Sequence, residues 1–214
     1  MKKNLTELVF ILDKSGSMSG LEADTVGGFN SLVEKQREVE GECLVSMILF
    51  NDKSELIYDR HSVSEIKKMR KSDFTVGGTT ALMDALGAAI NHISKIHKYI
   101  REEDVPENTI FVIMTDGMEN ASHIFSDSEV KALVEEKKEK CGWQFIFLAA
   151  NIDAVETARK YGIDEDSAAN YCSDSQGTKL TYEAVNVAVE NYRTARKVNR
   201  GWKKELENDL KRRK

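Results

Sequence analysis

The sequence predicts a doubly wound α/β fold in one domain: a mostly parallel central sheet with one antiparallel edge strand and helices on both faces. Three observations predict it. Short apolar runs recur at Leu8 to Leu12, Leu44 to Phe50, Ile110 to Met114 and Phe145 to Ala150, and they lack the strict alternation of strands that face water on one side. Stretches of helical period lie between and after them: Phe29, Leu32, Val33 and Gln36; Leu82, Leu86, Ile90, Ile93 and Ile96 or His97; Leu180, Ala184, Val187, Ala188 and Tyr192. Finally, 214 residues of which 41% are hydrophobic are enough for one sizeable core and few for two.

Each element follows in order. The run from Leu8 is the first strand and the pattern through Phe29 its crossover helix, because strands alternating with helices build a parallel sheet. Glu55 to Asp59 follows the second run after only a few residues, too few for a crossover helix, and is read as an antiparallel edge strand. A short helix is expected around Ser64 to Met69, then an irregular approach to Gly77-Gly78 and a helix opening at Ala81. Trp143 begins a buried strand, and Ala168 to Cys172 is read as a last edge strand. Pro106 is the single proline.

Composition narrows the function classes. No apolar run has membrane-spanning length, and the apolar stretch after Lys2 and Lys3 ends at Asp13 without a small-residue cleavage pattern, so a soluble cytoplasmic protein without a membrane role is expected. Cys43, Cys141 and Cys172 are odd in number and far apart, which suggests neither a disulfide framework nor a zinc knuckle. From Arg196 to Lys214 nine Lys or Arg residues stand against Glu205, Glu207 and Asp209, a net +6, so that residues 1–195 carry -11 of the overall -5. The expected organisation is a domain over 1–195 and a basic extension over 196–214. That extension either reaches an acidic surface or nucleic acid, or docks on its own acidic body with Trp202 as anchor. Its removal is expected to leave fold and metal binding intact.

Loops at the carboxyl ends of strands converge on the ligand site of an open α/β sheet. Three such loops carry oxygen: Asp13-Lys14-Ser15-Gly16-Ser17 after the first strand, Gly77-Gly78-Thr79-Thr80 before the helix at Ala81, and Thr115-Asp116-Gly117 after the run at Ile110. Hard divalent cations take oxygen ligands. The alternate spacing of Asp13, Ser15 and Ser17 lets a turning loop point three oxygens inward, with Gly16 permitting a tight backbone. Two carboxylates and neutral hydroxyls leave a dication electrophilic, so it should seek one more carboxylate from outside the protein.

These three segments resemble the von Willebrand factor type A domain, whose metal-ion-dependent adhesion site reads Asp-x-Ser-x-Ser, then Thr in a Gly-rich loop, then Asp in Thr-Asp-Gly. The resemblance spans roughly residues 5 to 195. It implies that Asp13, Ser15, Ser17, Thr80 and Asp116 hold Mg2+ or Mn2+. Asp84-Ala85-Leu86 favours Thr80, with Thr79 as runner-up. Phe50-Asn51-Asp52 and Ala149-Ala150-Asn151-Ile152-Asp153 also look like bacterial members, and a bacterial or phage intracellular type is implied. Such members work with larger machines, often ATPases of the AAA class or stress-response systems. In relatives that switch shape, an acidic ligand on the metal moves the C-terminal helix, here around Thr181 to Arg193.

Plainer readings stand beside these. Each piece alone is an ordinary turn or helix cap; the combination of three at strand ends is what points to metal. A metal-dependent phosphohydrolase is the enzymatic alternative, and a nucleic-acid-associated protein acting through the tail is the third. No phosphate-loop or dinucleotide fingerprint follows any strand. His123, the one base near Ser17 in sequence, reads as an exposed loop residue, and His92 and His97, five apart on a helix, do not form a zinc pair. Glu119, Asn120, Asn51 and Asn151 share the rim and are ordinary turn residues as much as functional ones. The reading favoured here is a non-enzymatic, metal-dependent protein-binding module completed by a Glu or Asp of its partner.

Overall fold

The computed structural model describes residues 1–213. Six strands form one sheet: β1 Lys2–Asp13, β2 Glu42–Phe50, β3 Ser54–Ser62, β4 Pro106–Thr115, β5 Gln144–Ala149 and β6 Ala168–Asn170. Their spatial order is β3-β2-β1-β4-β5-β6, with β3 antiparallel to β2 and every other pair parallel. The helices are α1 Glu22–Glu38, α2 Leu82–Tyr99, α3 Asp127–Cys141, α4 Ala154–Lys160, α5 Ser175–Ala195 and α6 Lys204–Arg212.

The central strand explains the layering. Side chains alternate across a strand, so Leu8, Phe10 and Leu12 enter one core with Phe29 and Leu32 of α1 and Val185 and Val189 of α5. Val9 and Ile11 enter the other, with Leu86 and Ile90 of α2 and Val130 and Val134 of α3. Chain connections run from β1 toward β3 on one side and from β4 toward β6 on the other, so the strand order reverses between β1 and β4. A crevice opens at such a point beyond the carboxyl ends of the strands. Asp13 ends β1 and Thr115 ends β4.

Two expectations are corrected. Residues 64 to 69 are not helical but form a turn and then irregular chain. The reason lies on α1. Arg37 donates to the carbonyls of Val63 and Ile66 at 2.9 and 2.5 Å, and Asn30 both donates to the Met69 carbonyl at 2.9 Å and accepts its N–H at 2.8 Å. Backbone groups that a helix would satisfy internally are satisfied from outside, while Ile66 and Met69 are buried. Removal of the tail as harmless to the fold is also revised. Trp202 and Leu206 are 2% and 1% exposed, within the core that α1 and α5 cover. The Trp202 indole N–H donates to the Asp166 carbonyl at 2.9 Å, and Arg200 pairs with Asp166 at 2.7 Å. The docked alternative for the extension is the one observed.

Candidate metal centre

The crevice between β1 and β4 receives three loops, each held by a specific backbone device. The β1 loop is pinned to the glycine loop by two reciprocal bonds: Gly16 N–H donates to Gly78 O at 3.1 Å and Gly77 N–H to Lys14 O at 2.9 Å. Gly78 adopts φ +80, a conformation that strains any residue with a Cβ, and a Cβ there would lie 2.5 Å from Asp52 Oδ1 and force that side chain to move. Asn51 braces the same loop, its amide donating to Gly77 O at 2.8 Å while its carbonyl accepts Ala81 N–H at 2.7 Å. The β4 loop is anchored to α2: Asp84 accepts the N–H groups of His123, Ile124 and Phe125, each at 2.9 Å. Burial opposes ionisation of Asp84, yet these three donors hold its pKa below the usual carboxylate value.

On this frame the side chains converge. Asp13 accepts Ser15 N–H at 2.7 Å on Oδ1 and the Thr115 hydroxyl at 2.6 Å on Oδ2. The Ser15 and Ser17 hydroxyls are 3.0 Å apart, and Ser17 donates to Asp116 Oδ1. Thr80 is fixed through its backbone, which donates to Asn120 Oδ1 at 3.0 Å and accepts the N–H groups of Asn120 and Ala121. A Cβ at Gly117 would sit 3.1 Å from Ser17 Oγ and 3.5 Å from Thr80 Oγ1, so glycine keeps the middle of the group open. Thr80 is buried and Thr79 exposed. All five sequence-predicted residues therefore gather at one rim.

The electrostatics of the rim are unusual. Asp13 and Asp116 are each 1% exposed, and Lys14, the cation nearest in sequence, is committed to Glu55 at 2.9 Å. Burial pushes both carboxyl pKa values up, with hydroxyl and backbone donors opposing it, and the charge of Asp13 adds to the rise at Asp116. Among the described residues, His, Cys, Asp and Glu form no group of three or more that could hold a metal. The donors here are two carboxylates and three hydroxyls, an all-oxygen set that fits a hard divalent ion and not a zinc-type nitrogen or sulfur site.

Rim residues that the sequence left open acquire roles. Glu119 caps from a distance: it accepts Met83 N–H at 3.0 Å at the start of α2 and the N–H groups of Ala121 and Ser122 at 2.9 and 2.8 Å. Asn151, at φ +58, donates to Asp116 O at 3.1 Å. Ser173 and Tyr171 were missed. The Ser173 hydroxyl donates to Asp116 Oδ2 at 3.4 Å and the Tyr171 hydroxyl to Thr115 O at 3.2 Å. The strand-end rule applied to the short last strand would have pointed to both. His123 is exposed. His92 contacts Asp59 at 3.0 Å and His97 contacts buried Glu7 at 2.5 Å, so the two histidines serve separate polar contacts.

Comparison with known proteins matches the chain to a family. The von Willebrand factor type A domain matches residues 7–183. The chain belongs to the von Willebrand factor type A domain family. No curated protein matches the chain. Among solved structures, this type A domain is similar to proximal thread matrix protein 1 from the mussel byssus, at 16% identity over 85% of this chain and 45% of that one, TM-score 0.57. It is similar to a D319A mutant of the PilB minor pilin from Streptococcus sanguinis, at 9% identity over 88% and 62%, TM-score 0.63. It is also similar to the manganese-loaded TRAP protein of Plasmodium vivax, at 16% identity over 84% and 73%, TM-score 0.56. The chain thus spans about half to two-thirds of the length of the first two. At these identities the likeness shows the fold. One form of the mussel protein is described with a zinc-occupied MIDAS motif.

Proposed function

We propose that this type A domain is a metal-dependent protein-binding module in which Asp13, Ser15, Ser17, Thr80 and Asp116 hold Mg2+ or Mn2+, some through water, and a Glu or Asp of the partner completes the coordination. The observation that carries it is the pair of buried carboxylates, Asp13 and Asp116, which are faced by hydroxyls and form no ion pair with a lysine or arginine among the described residues. Buried charges are costly unless paired or bound to metal. A dication removes that cost, and this donor set neutralises it only partly, leaving it electrophilic toward an outside carboxylate. Manganese in one structural neighbour supports a hard divalent ion, and a second neighbour carries zinc in its MIDAS motif.

The reading is of a binding site without catalysis. Ser17 donates to Asp116, a carboxylate that this reading commits to the metal, and not to a histidine, and the fold by itself assigns no chemistry. Three of the nine cations of the basic extension are engaged with carboxylates of the body, Arg196 with Glu107, Arg200 with Asp166 and Arg213 with Asp174, which supports docking on its own domain over a free nucleic-acid-binding tail. No described helix is long and apolar enough to cross a membrane. An exposed free thiol at Cys141 fits a reducing, cytoplasmic setting. A partner of the AAA ATPase or stress-response kind is the analogue in intracellular relatives. The test is capture of partner by wild type, Asp13→Ala and wild type in chelator, alongside calorimetry with magnesium, manganese and a glutamate-bearing peptide. Metal-dependent capture by wild type alone is expected; undiminished capture in chelator would refute the proposal.

A further inference from the structure

Helix α6 reaches the metal rim through one loop. Residues 171–174 leave β6 and enter α5, and three elements grip them. From the rim side, Tyr171 holds Thr115 O at 3.2 Å and Ser173 holds Asp116 Oδ2 at 3.4 Å. From α5, Asp174 is the N-cap and accepts Gly177 N–H at 2.8 Å, while Gly177 packs so closely that a Cβ there would lie 2.0 Å from Cys172 O. From α6, Arg213 pairs with Asp174 and, at 2.9 Å, with Asp209. Asp209 is itself buried and accepts from Gln176 at 3.3 Å. Upstream, Trp202 and the Lys203 ammonium, which donates to Glu165 O and Ala168 O at 2.6 and 2.8 Å, tie the start of the extension to the chain entering β6.

We propose that α6 is a strap that fixes the β6–α5 loop against the rim, and that through this loop Ser173 is a positioning residue for the metal-site carboxylate Asp116. The proposal rests on the metal reading above. Its logic is geometric. Asp116 has two carboxylate oxygens: Ser17, on the first loop, takes one and Ser173, on the last, takes the other. A carboxylate held at both oxygens cannot swing, and groups that orient a metal ligand matter nearly as much as the ligand. Ser173 has no support of its own beyond the loop that carries it. The strap supplies that support from the far side, so occupancy of the rim and docking of α6 bias the same loop.

Full-length wild type, Arg213→Ala, Arg213→Lys, Ser173→Ala and Ser173→Thr are compared by two readouts. Amide exchange over residues 171–174 is measured in chelator, and Mn2+ affinity is measured by titration of the free-ion resonance. Arg213→Ala should speed loop exchange and weaken Mn2+ binding, with Arg213→Lys restoring both. Ser173→Ala should change exchange less than Arg213→Ala does, because Tyr171 and Asp174 still hold the loop, and should weaken Mn2+ by about tenfold, the low end for loss of an orienting group, with Ser173→Thr retaining affinity. Unchanged exchange in Arg213→Ala overturns the strap, and wild-type affinity in Ser173→Ala overturns the positioning role. A wild type that takes up no Mn2+ overturns the metal reading and the role of Ser173 with it; the exchange result, obtained without metal, separates that failure from failure of the strap.

Discussion

At the rim each residue differs in what its loss removes. Asp13→Ala or Asp116→Ala deletes a charge as well as an oxygen, and metal affinity should fall by more than the roughly 10–100-fold typical of losing a group that only orients a ligand. Ser15→Ala and Ser17→Ala should cost less, because water replaces a neutral hydroxyl; titration calorimetry orders the four. The same carboxylates predict a pH dependence. Both are raised by burial in the metal-free protein. The folded state therefore binds more protons than the unfolded one between the ordinary carboxyl value and the raised value, and this contribution to stability is present at low pH and lost as pH rises through that window. In chelator, the melting temperature of wild type should drop below that of Asp13→Asn as pH is raised from 4 toward 7, and magnesium should close the gap. Parallel curves would show that the empty site carries no such strain. The sequence made Asp13, Ser15 and Ser17 legible because they are consecutive on one turn. Ser173 was missed because it follows the short edge strand β6, and the strand-end rule was applied to the longer strands alone.

Legibility of the elements followed the strength of their apolar stripe. Helix α2 was read almost to its ends, for Leu82, Leu86, Ile90 and Ile93 line one buried face. Helix α3 was not singled out: it buries only Val130 and Val134 among charged residues, and its ends are instead written in a capping box of Ser126 with Glu129 and a left-handed Gly142 at φ +66. Residues 64 to 69 misled for the opposite reason, since their apolar spacing is real but their backbone partners lie on α1. Asn30→Ala should therefore cost about 1–3 kcal/mol, the penalty for buried polar groups left unpaired, and should speed exchange of the Met69 amide while leaving α1 protected. Glu119→Ala removes acceptors from three N–H groups that join the metal loop to α2. Faster exchange is expected at Met83, Ala121 and Ser122, together with weaker Mn2+ binding despite an unchanged set of ligands. Protection equal to wild type would show that water substitutes for the carboxylate there.

For the molecule as a whole, the basic extension decides how much chain the fold requires. Its charge read from sequence either as a separable tail or as one docked through Trp202, and the nine cations against three acids did not decide between them; Trp202 and Leu206 are 2% and 1% exposed in the α1–α5 core. Two large apolar side chains, Trp202 and Leu206, four residues apart in so charged a segment are a sparse signal; the contacts show where they lie. The consequence is a stability cost that a solvated tail would not have. Trp202→Ala leaves a cavity between α5, β6 and the turn at Asp166 and strands the Asp166 carbonyl, and the change should cost about 3–5 kcal/mol, the usual range for deleting a buried indole. Deleting residues 197–214 should cost at least as much, since Leu206 leaves as well and Asp174 loses Arg213. If magnesium binds the folded form alone, as the proposed metal site requires, it should recover about 2.7 kcal/mol at a concentration a hundred times its dissociation constant, so the truncated protein regains part but not all of its midpoint. Urea denaturation with and without magnesium measures both quantities. A truncated chain that unfolds at the wild-type midpoint would mean that the docked helix contributes nothing to stability.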